Sequence, residues 1–376
     1  MRLFERFRIS GKLEVSNRVM VPPMVTRLAT ETGDVTDKLV ERYLLYAMGG
    51  AGFVVTEPVS VKEQKSGQLL RLSDDRFIPG VRSLAQRIHA ETNAKIGVQV
   101  IHFLKISRSG YRQTVEELPR AEVREIPELF ARAARRARQA GVDAVELHFA
   151  HAYTMSSFLS RHNKRRDEYG GSLENRLRLA EEVVRATRQA VGEDFVVGAR
   201  INGDEFTLGG TTLEQSRVVA LRLAGLGLDY LSVSGGGKFE DAIPVEGKPL
   251  SPYSGYSGAR AMPFHWMPEK VNVYLAADIR QTLRKAGYEI PVATAGRIPT
   301  AVVAEGILQG EEADIVAVAR PILADPYWPK KFEEGRGNAV VRCVYCNQCR
   351  DAEGSFQETT CSQWKQRDGS TRAPAV

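Results

Sequence analysis

The chain has 376 residues, 43% of them hydrophobic and 26% charged, with a formal net charge of +6. That length suits one large domain or two small ones, and the balance of residue types excludes a largely disordered chain. No apolar leader segment opens the sequence, no run approaches the ~18 residues of a membrane span, and no basic stripe is interleaved with aromatics. The expectation is a soluble, cytoplasmic protein that binds neither membrane nor nucleic acid.

Short aliphatic runs recur along the chain at Arg18–Val21, Ala51–Thr56, Lys95–Ile101, Ala144–Leu147, Phe195–Arg200, Tyr230–Val233, Pro291–Thr294 and Ile315–Val318. They alternate little between apolar and polar, which suits parallel strands buried on both faces. Helical spacing fills the gaps at Val81–Glu91, Ile126–Ala140, Leu173–Val191, Thr212–Leu226, Val271–Lys285 and Pro299–Leu308. Pro299 is read as a first-turn proline, and Gly287 and Gly310 as helix stops. The densest basic run, Arg132, Arg135, Arg136 and Arg138, is read as a solvated helix face, with a docking patch for an acidic partner or a phosphorylated substrate as the alternative. Eight such units predict a (β/α)8 TIM barrel over residues 1–338. An open doubly wound sheet usually carries a G-x-G-x-x-G turn after its first strand, and none stands there. Residues 339–376 form a cysteine-rich C-terminal segment whose tail, from Gln366, reads as frayed.

Barrel chemistry sits on the loops that follow the strands. Strand four is followed by two imidazoles and a phenol, His148, His151 and Tyr153, which suit carbonyl polarisation and proton donation. The Gln99 amide near the end of strand three both donates and accepts, which suits a ring such as a flavin pyrimidine, with loop anchoring as the alternative reading. Arg200 ends strand five and needs an anionic partner if buried. Gly296 and Arg297 follow strand seven, Ala319 and Arg320 follow strand eight, and these two loops are the fold's usual phosphate site. The loop from Gly235 to Met267 carries Phe239, Tyr253, Tyr256, Phe264 and Trp266, which suggests an apolar or aromatic-lined pocket. A packed loop or an oligomer contact is the other reading.

The four cysteines, Cys343, Cys346, Cys349 and Cys361, follow the spacing C-x2-C-x2-C-x11-C. Clustered thiolates suit a metal centre. A four-sulfur zinc site and a 4Fe–4S cluster both remain open, and the tight triplet with one remote cysteine favours the cluster. Disulfides fit poorly with a reducing compartment.

The run Phe158-Leu159-Ser160, Asn163, Arg165 and Asp167-Glu168-Tyr169-Gly170-Gly171-Ser172-Leu173-Glu174-Asn175-Arg176 resembles the old yellow enzyme family of FMN oxidoreductases, as does Ala319-Arg320-Pro321-Ile322-Leu323-Ala324-Asp325-Pro326. The cysteine stretch is similar to the branch that contains 2,4-dienoyl-CoA reductase and trimethylamine dehydrogenase, which holds a 4Fe–4S cluster. The resemblance implies FMN and 4Fe–4S as cofactors and places Tyr153 as proton donor, with His148 and His151 as the pair that holds a substrate carbonyl. It places Pro23, Met24 and Val25 under the flavin, Gln99 and Arg200 on its ring, and Gly296, Arg297, Ala319 and Arg320 at its phosphate. Val25 stands where a threonine or cysteine is common, which implies a different flavin potential. Ser257 stands where the dienoyl reductases carry a catalytic histidine, and His265 is the nearby alternative.

Longer relatives of this branch carry a nucleotide-binding module after the cluster, and no dinucleotide fingerprint is found here. The resemblance therefore implies a separate electron-transfer protein as partner. The expected activity is reduction of an activated C=C bond in a small, apolar or aromatic substrate. The rivals are a flavin-dependent dehydrogenase that passes electrons out through the cluster and, without catalysis, a zinc-stapled assembly subunit. A homo-oligomer is compatible with the sequence.

Overall fold

The computed structural model describes residues 1–63, 67–105, 111–246, 250–367 and 370–374. Eight parallel strands close into a barrel in chain order: Val19–Val21, Phe53–Ser60, Lys95–Ile101, Ala144–Phe149, Val196–Asn202, Tyr230–Ser234, Val292–Thr294 and Ile315–Ala317. The eighth pairs with the first through Val316 and Val19. Each expected strand is found in its place, so the (β/α)8 reading holds. Strand two runs further than its apolar residues indicate, because a register shift between Thr56 and Pro58 lets it continue past Glu57 to Ser60.

The strands have two buried faces of different character. Val145, Leu147 and Phe149 of strand four join the core beneath the helices, whereas Ala144 joins the barrel interior. A two-residue period therefore turns Glu146 and His148 inward. The interior is apolar at its N-terminal end, where Met20, Phe53 and Tyr230 meet Ile9 and Val15. Those last two come from an antiparallel hairpin, Phe7–Ile9 with Leu13–Val15, that closes this end. Polar side chains gather at the other end, where the strands terminate.

The outer helices are Asp37–Met48, Ile78–Glu91, Arg120–Gln139, Leu173–Val191, Leu213–Ala224, Val273–Lys285 and Ala301–Gln309. The first was not expected, although Thr36 caps it by accepting from Leu39 N at 3.2 Å. The Ala301–Gln309 helix corrects the reading of Pro299. Thr300 is its cap, accepting from Val303 N at 3.3 Å, so Pro299 lies before the helix. The basic run is a face of ion pairs within the chain. Arg136 reaches Asp75 at 2.6 Å and Arg138 reaches Asp194 at 2.7 Å.

The tail also departs from expectation. Lys365–Arg367 and Ser370–Arg372 pair as antiparallel strands, where a tail without regular structure was expected. Just before them, Trp364 donates its indole N–H to Leu323 O at 2.8 Å, and the Arg42 guanidinium lies 4.7 Å from its ring centroid. Arg42 also donates to Thr359 O, and Thr359 N donates to Thr26 O. These contacts lay residues 359–364 against the open end of the barrel.

Candidate active site

A cavity with an open volume of about 1160 Å³ occupies the C-terminal end of the barrel. It is lined by Pro23, Met24, Val25, Gln99, His148, His151, Tyr153, Arg200, Gly296, Arg297, Ala319 and Arg320, together with Cys349. Every catalytic and flavin-contact residue expected from the sequence thus faces one space.

Strand four sets the chemistry. The His148 and His151 rings stand 5.2 Å apart, and Tyr153 is 5.1 Å from His148. His151 has left-handed backbone (φ 61°), a conformation histidine tolerates better than most residues. Its N–H donates to Asn202 Oδ1 at 3.3 Å, and its Nε2 lies 3.0 Å from Ser234 Oγ, which leaves the other ring nitrogen for a ligand. Gly237 makes this geometry possible, because an added Cβ would lie 3.0 Å from the His151 ring. Burial holds both imidazoles well below their ordinary pKa. His151 and Arg200 depress His148 further, and Arg200 and Lys238 depress His151 further. Both rings are therefore neutral at pH 7. Burial pushes the Tyr153 phenol up to about 12, so it keeps its proton. A second phenol, Tyr253, lies 3.4 Å from it.

Strand register places the residues expected on the flavin ring. Gln99 pairs with Glu146, and His148 pairs with Arg200. Gln99 donates to Glu146 Oε1 at 2.7 Å and Tyr230 donates to Glu146 Oε2 at 3.2 Å, so this buried carboxylate fixes the Gln99 amide. Among the described residues, Arg200 Nε and Nη1, His148 Nδ1 and Arg297 Nε are buried without a hydrogen-bond partner. Unpaired buried donors are costly, and a hydrogen-bond-accepting, anionic cofactor would satisfy them. The donor set fits FMN on that ground.

The two arginines expected at the phosphate are already engaged by protein. Arg297 donates to the carbonyls of Phe264, His265 and Met267, and Arg320 to Pro263 O and Asn347 Oδ1. They anchor the loop from Pro263 to Met267 and the cysteine loop as well as lining the cavity. Cys343, Cys346, Cys349 and Cys361 line a second, small cavity with Arg320, Leu323 and Asn347. Arg320, Leu323 and Cys349 belong to both cavities. No three His, Cys, Asp or Glu side chains among the described residues close around a single ion position.

Several expectations require correction. Of the aromatics between Gly235 and Met267, only Tyr253 lines the cavity. Phe239 packs under Arg112, Tyr256 packs edge-on against Phe206, and Phe264 stacks on the exposed Trp266. Part of that loop, 247–249, falls outside the described residues. Ser257 is buried, donates to Glu205 O and accepts from Lys238 N, so it braces the loop. His265 is exposed and stands outside the cavity lining.

Sequence reasoning missed Glu146, Arg27, Glu353 and Tyr345. A carboxylate within a buried strand was the available signal for Glu146. The others carried none. Glu353 lines the cavity from the helix Gln348–Gly354 and accepts from Arg27 Nη2 at 2.7 Å. Burial raises its pKa and Arg27 opposes the rise.

The sequence profile of the NADH:flavin oxidoreductase / NADH oxidase family matches residues 2–225 and 258–339. An NADH oxidase of Thermoanaerobacter brockii is 36% identical over 92% of this chain and 52% of its own length. An N,N-dimethylglycine/sarcosine dehydrogenase of Chromohalobacter salexigens is 30% identical over 96% of this chain and 52% of its own. Among solved structures, a 2-naphthoyl-CoA reductase in complex with 2-naphthoyl-CoA superposes with a TM-score of 0.83 at 26% identity, covering 96% of this chain and 56% of that one. The chain thus spans about half the length of these relatives. With the barrel, the cavity and these matches in agreement, the chain belongs to the NADH:flavin oxidoreductase / NADH oxidase family.

Proposed function

We propose that this chain is an FMN- and 4Fe–4S-dependent ene-reductase acting on an activated C=C bond, in an enone or enoyl thioester. When bound, FMN supplies a hydride to the β-carbon and the cluster supplies the electrons that restore it. His148 and His151, each neutral with one N–H to donate, hold the conjugated carbonyl oxygen, where negative charge develops in the transition state. Tyr153 delivers its proton to the α-carbon, and Tyr253 at 3.4 Å is placed to relay a replacement. Met24, Val25, Met262 and Pro263 give the cavity apolar wall, which supports an apolar or aromatic substrate. The observation that carries the reading is that a carbonyl-holding, proton-donating set shares one cavity with the orphaned donors of Arg200.

The thiols support a cluster over a single zinc. Three cysteines in one tight turn with the fourth remote, C-x2-C-x2-C-x11-C, suit a four-iron cluster better than the paired C-x2-C knuckles usual for zinc. Cys346 and Val344 are exposed, which supports a separate electron-transfer protein approaching on that side. The test is anaerobic alkene reduction with a chemical electron donor. Tyr153→Phe should cut the rate about 10²- to 10⁴-fold while retaining flavin; a variant as fast as wild type would sink the assignment.

A second reading runs the chemistry the other way, with an amine or cyclic substrate oxidised and electrons leaving through the cluster. The Glu353 carboxylate on the cavity wall favours it, as does the similarity to a dimethylglycine/sarcosine dehydrogenase. Adding substrate alone to the oxidised protein bleaches the flavin only if this direction is correct.

A further inference from the structure

Tyr345 lies between the first two cysteines, yet its side chain belongs to the large cavity. Its backbone is left-handed (φ 54°), and its N–H donates to Cys343 Sγ at 3.4 Å. The Arg297 guanidinium lies 4.9 Å from its ring centroid and the Arg320 guanidinium 5.0 Å from it. The residue is 5% exposed, and its hydroxyl is buried with no partner among the described residues.

A phenol hydroxyl left unpaired in this way loses hydrogen bonds it would make in water. Two guanidinium groups drawn onto one ring also repel each other, which an anion between them would relieve. Both features stand where the loops after strands seven and eight, Gly296–Arg297 and Ala319–Arg320, line the same cavity. The cysteine loop is fastened to this place a second time. Asn347 accepts from Arg320 and donates to Met262 O at 2.8 Å.

We propose that the Tyr345 hydroxyl donates to the phosphate of the flavin cofactor, making the loop that carries Cys343 and Cys346 part of the phosphate site. The inference rests on FMN being the bound flavin. It follows that cofactor and cysteine loop order each other: FMN holds the loop through Tyr345, and the loop completes the site for FMN. Riboflavin has the same ring system without the phosphate, so it separates this contact from the ring contacts of Gln99 and Arg200.

The test titrates the flavin-depleted full chain with FMN and with riboflavin, for wild type and Tyr345→Phe, reading flavin fluorescence. The variant should bind FMN about ten- to a hundredfold more weakly, the scale of a hydrogen bond to a charged group, with riboflavin affinity unchanged. Hydrogen exchange over residues 341–350 should slow on FMN addition in wild type and less so in the variant. An FMN-to-riboflavin preference that is the same in both proteins overturns the Tyr345 contact while leaving the flavin reading intact. Failure of wild type to bind FMN overturns both.

Discussion

Glu57 is wholly buried on strand two, near the loop that carries Val25. Its Oε2 accepts from Thr26 N at 2.6 Å and Thr26 Oγ1 at 2.5 Å, and its Oε1 has no partner among the described residues. Burial raises its pKa to about 7, against the opposing pull of Thr26 and Arg27. A carboxyl raised in the folded state binds more protons there than in the unfolded chain between about pH 4.5 and 7. Its contribution to stability is therefore present below that window and is lost as pH rises through it. A shift of this size corresponds to about 3 kcal/mol. Glu57→Gln keeps an acceptor for Thr26 and cannot titrate, so the stability difference between wild type and variant should move in the variant's favour from pH 4.5 to pH 8. Denaturant unfolding at several pH values reads this directly, and a pH-independent difference would contradict it. Neither the burial nor the orphaned oxygen was legible in the sequence, where Glu57-Pro58 looks like the end of a strand.

Strands five and six meet through a missing side chain. A Cβ on Gly198 would lie 2.2 Å from the Tyr230 ring, which is itself fully buried edge-on to Phe53. Gly198→Ala should destabilise the barrel by about 1–3 kcal/mol, seen as a lower denaturation midpoint with an unchanged slope. Tyr230 also donates to Glu146, which fixes Gln99, so the same substitution should loosen the flavin. The elements themselves were largely legible. Parallel strands buried on both faces announce themselves as aliphatic runs, and all eight were placed. The Asp37–Met48 helix was not, because its charged first turn obscured the apolar positions that follow. Tyr153, His148 and His151 were legible because they crowd one short loop after a strand. Arg27 with Glu353, and Tyr345, were not, because they join residues far apart in sequence through contacts that only the closed barrel creates. The motif running from Phe158 to Arg176 was the clearest likeness, yet its work is largely structural. Asn163 donates to Phe158 O and Tyr169 O, and Arg176 donates to Leu159 O, which ties this loop to the helix that follows.

In the whole molecule, the barrel and the cysteine segment meet at one cavity. Its floor is strands three to five, one end is formed by the loops after strands seven and eight, and its wall is the helix carrying Cys349, Arg350 and Glu353. Arg320 and Leu323 stand between this cavity and the thiol-lined one. Under the proposed function the two spaces hold a flavin and an iron–sulfur cluster side by side. Anaerobic purification of the full chain, with a visible spectrum and metal analysis, tests it most directly. The account predicts one FMN and about four irons per chain, whereas a spectrum without flavin absorbance and a single zinc in place of iron would contradict it.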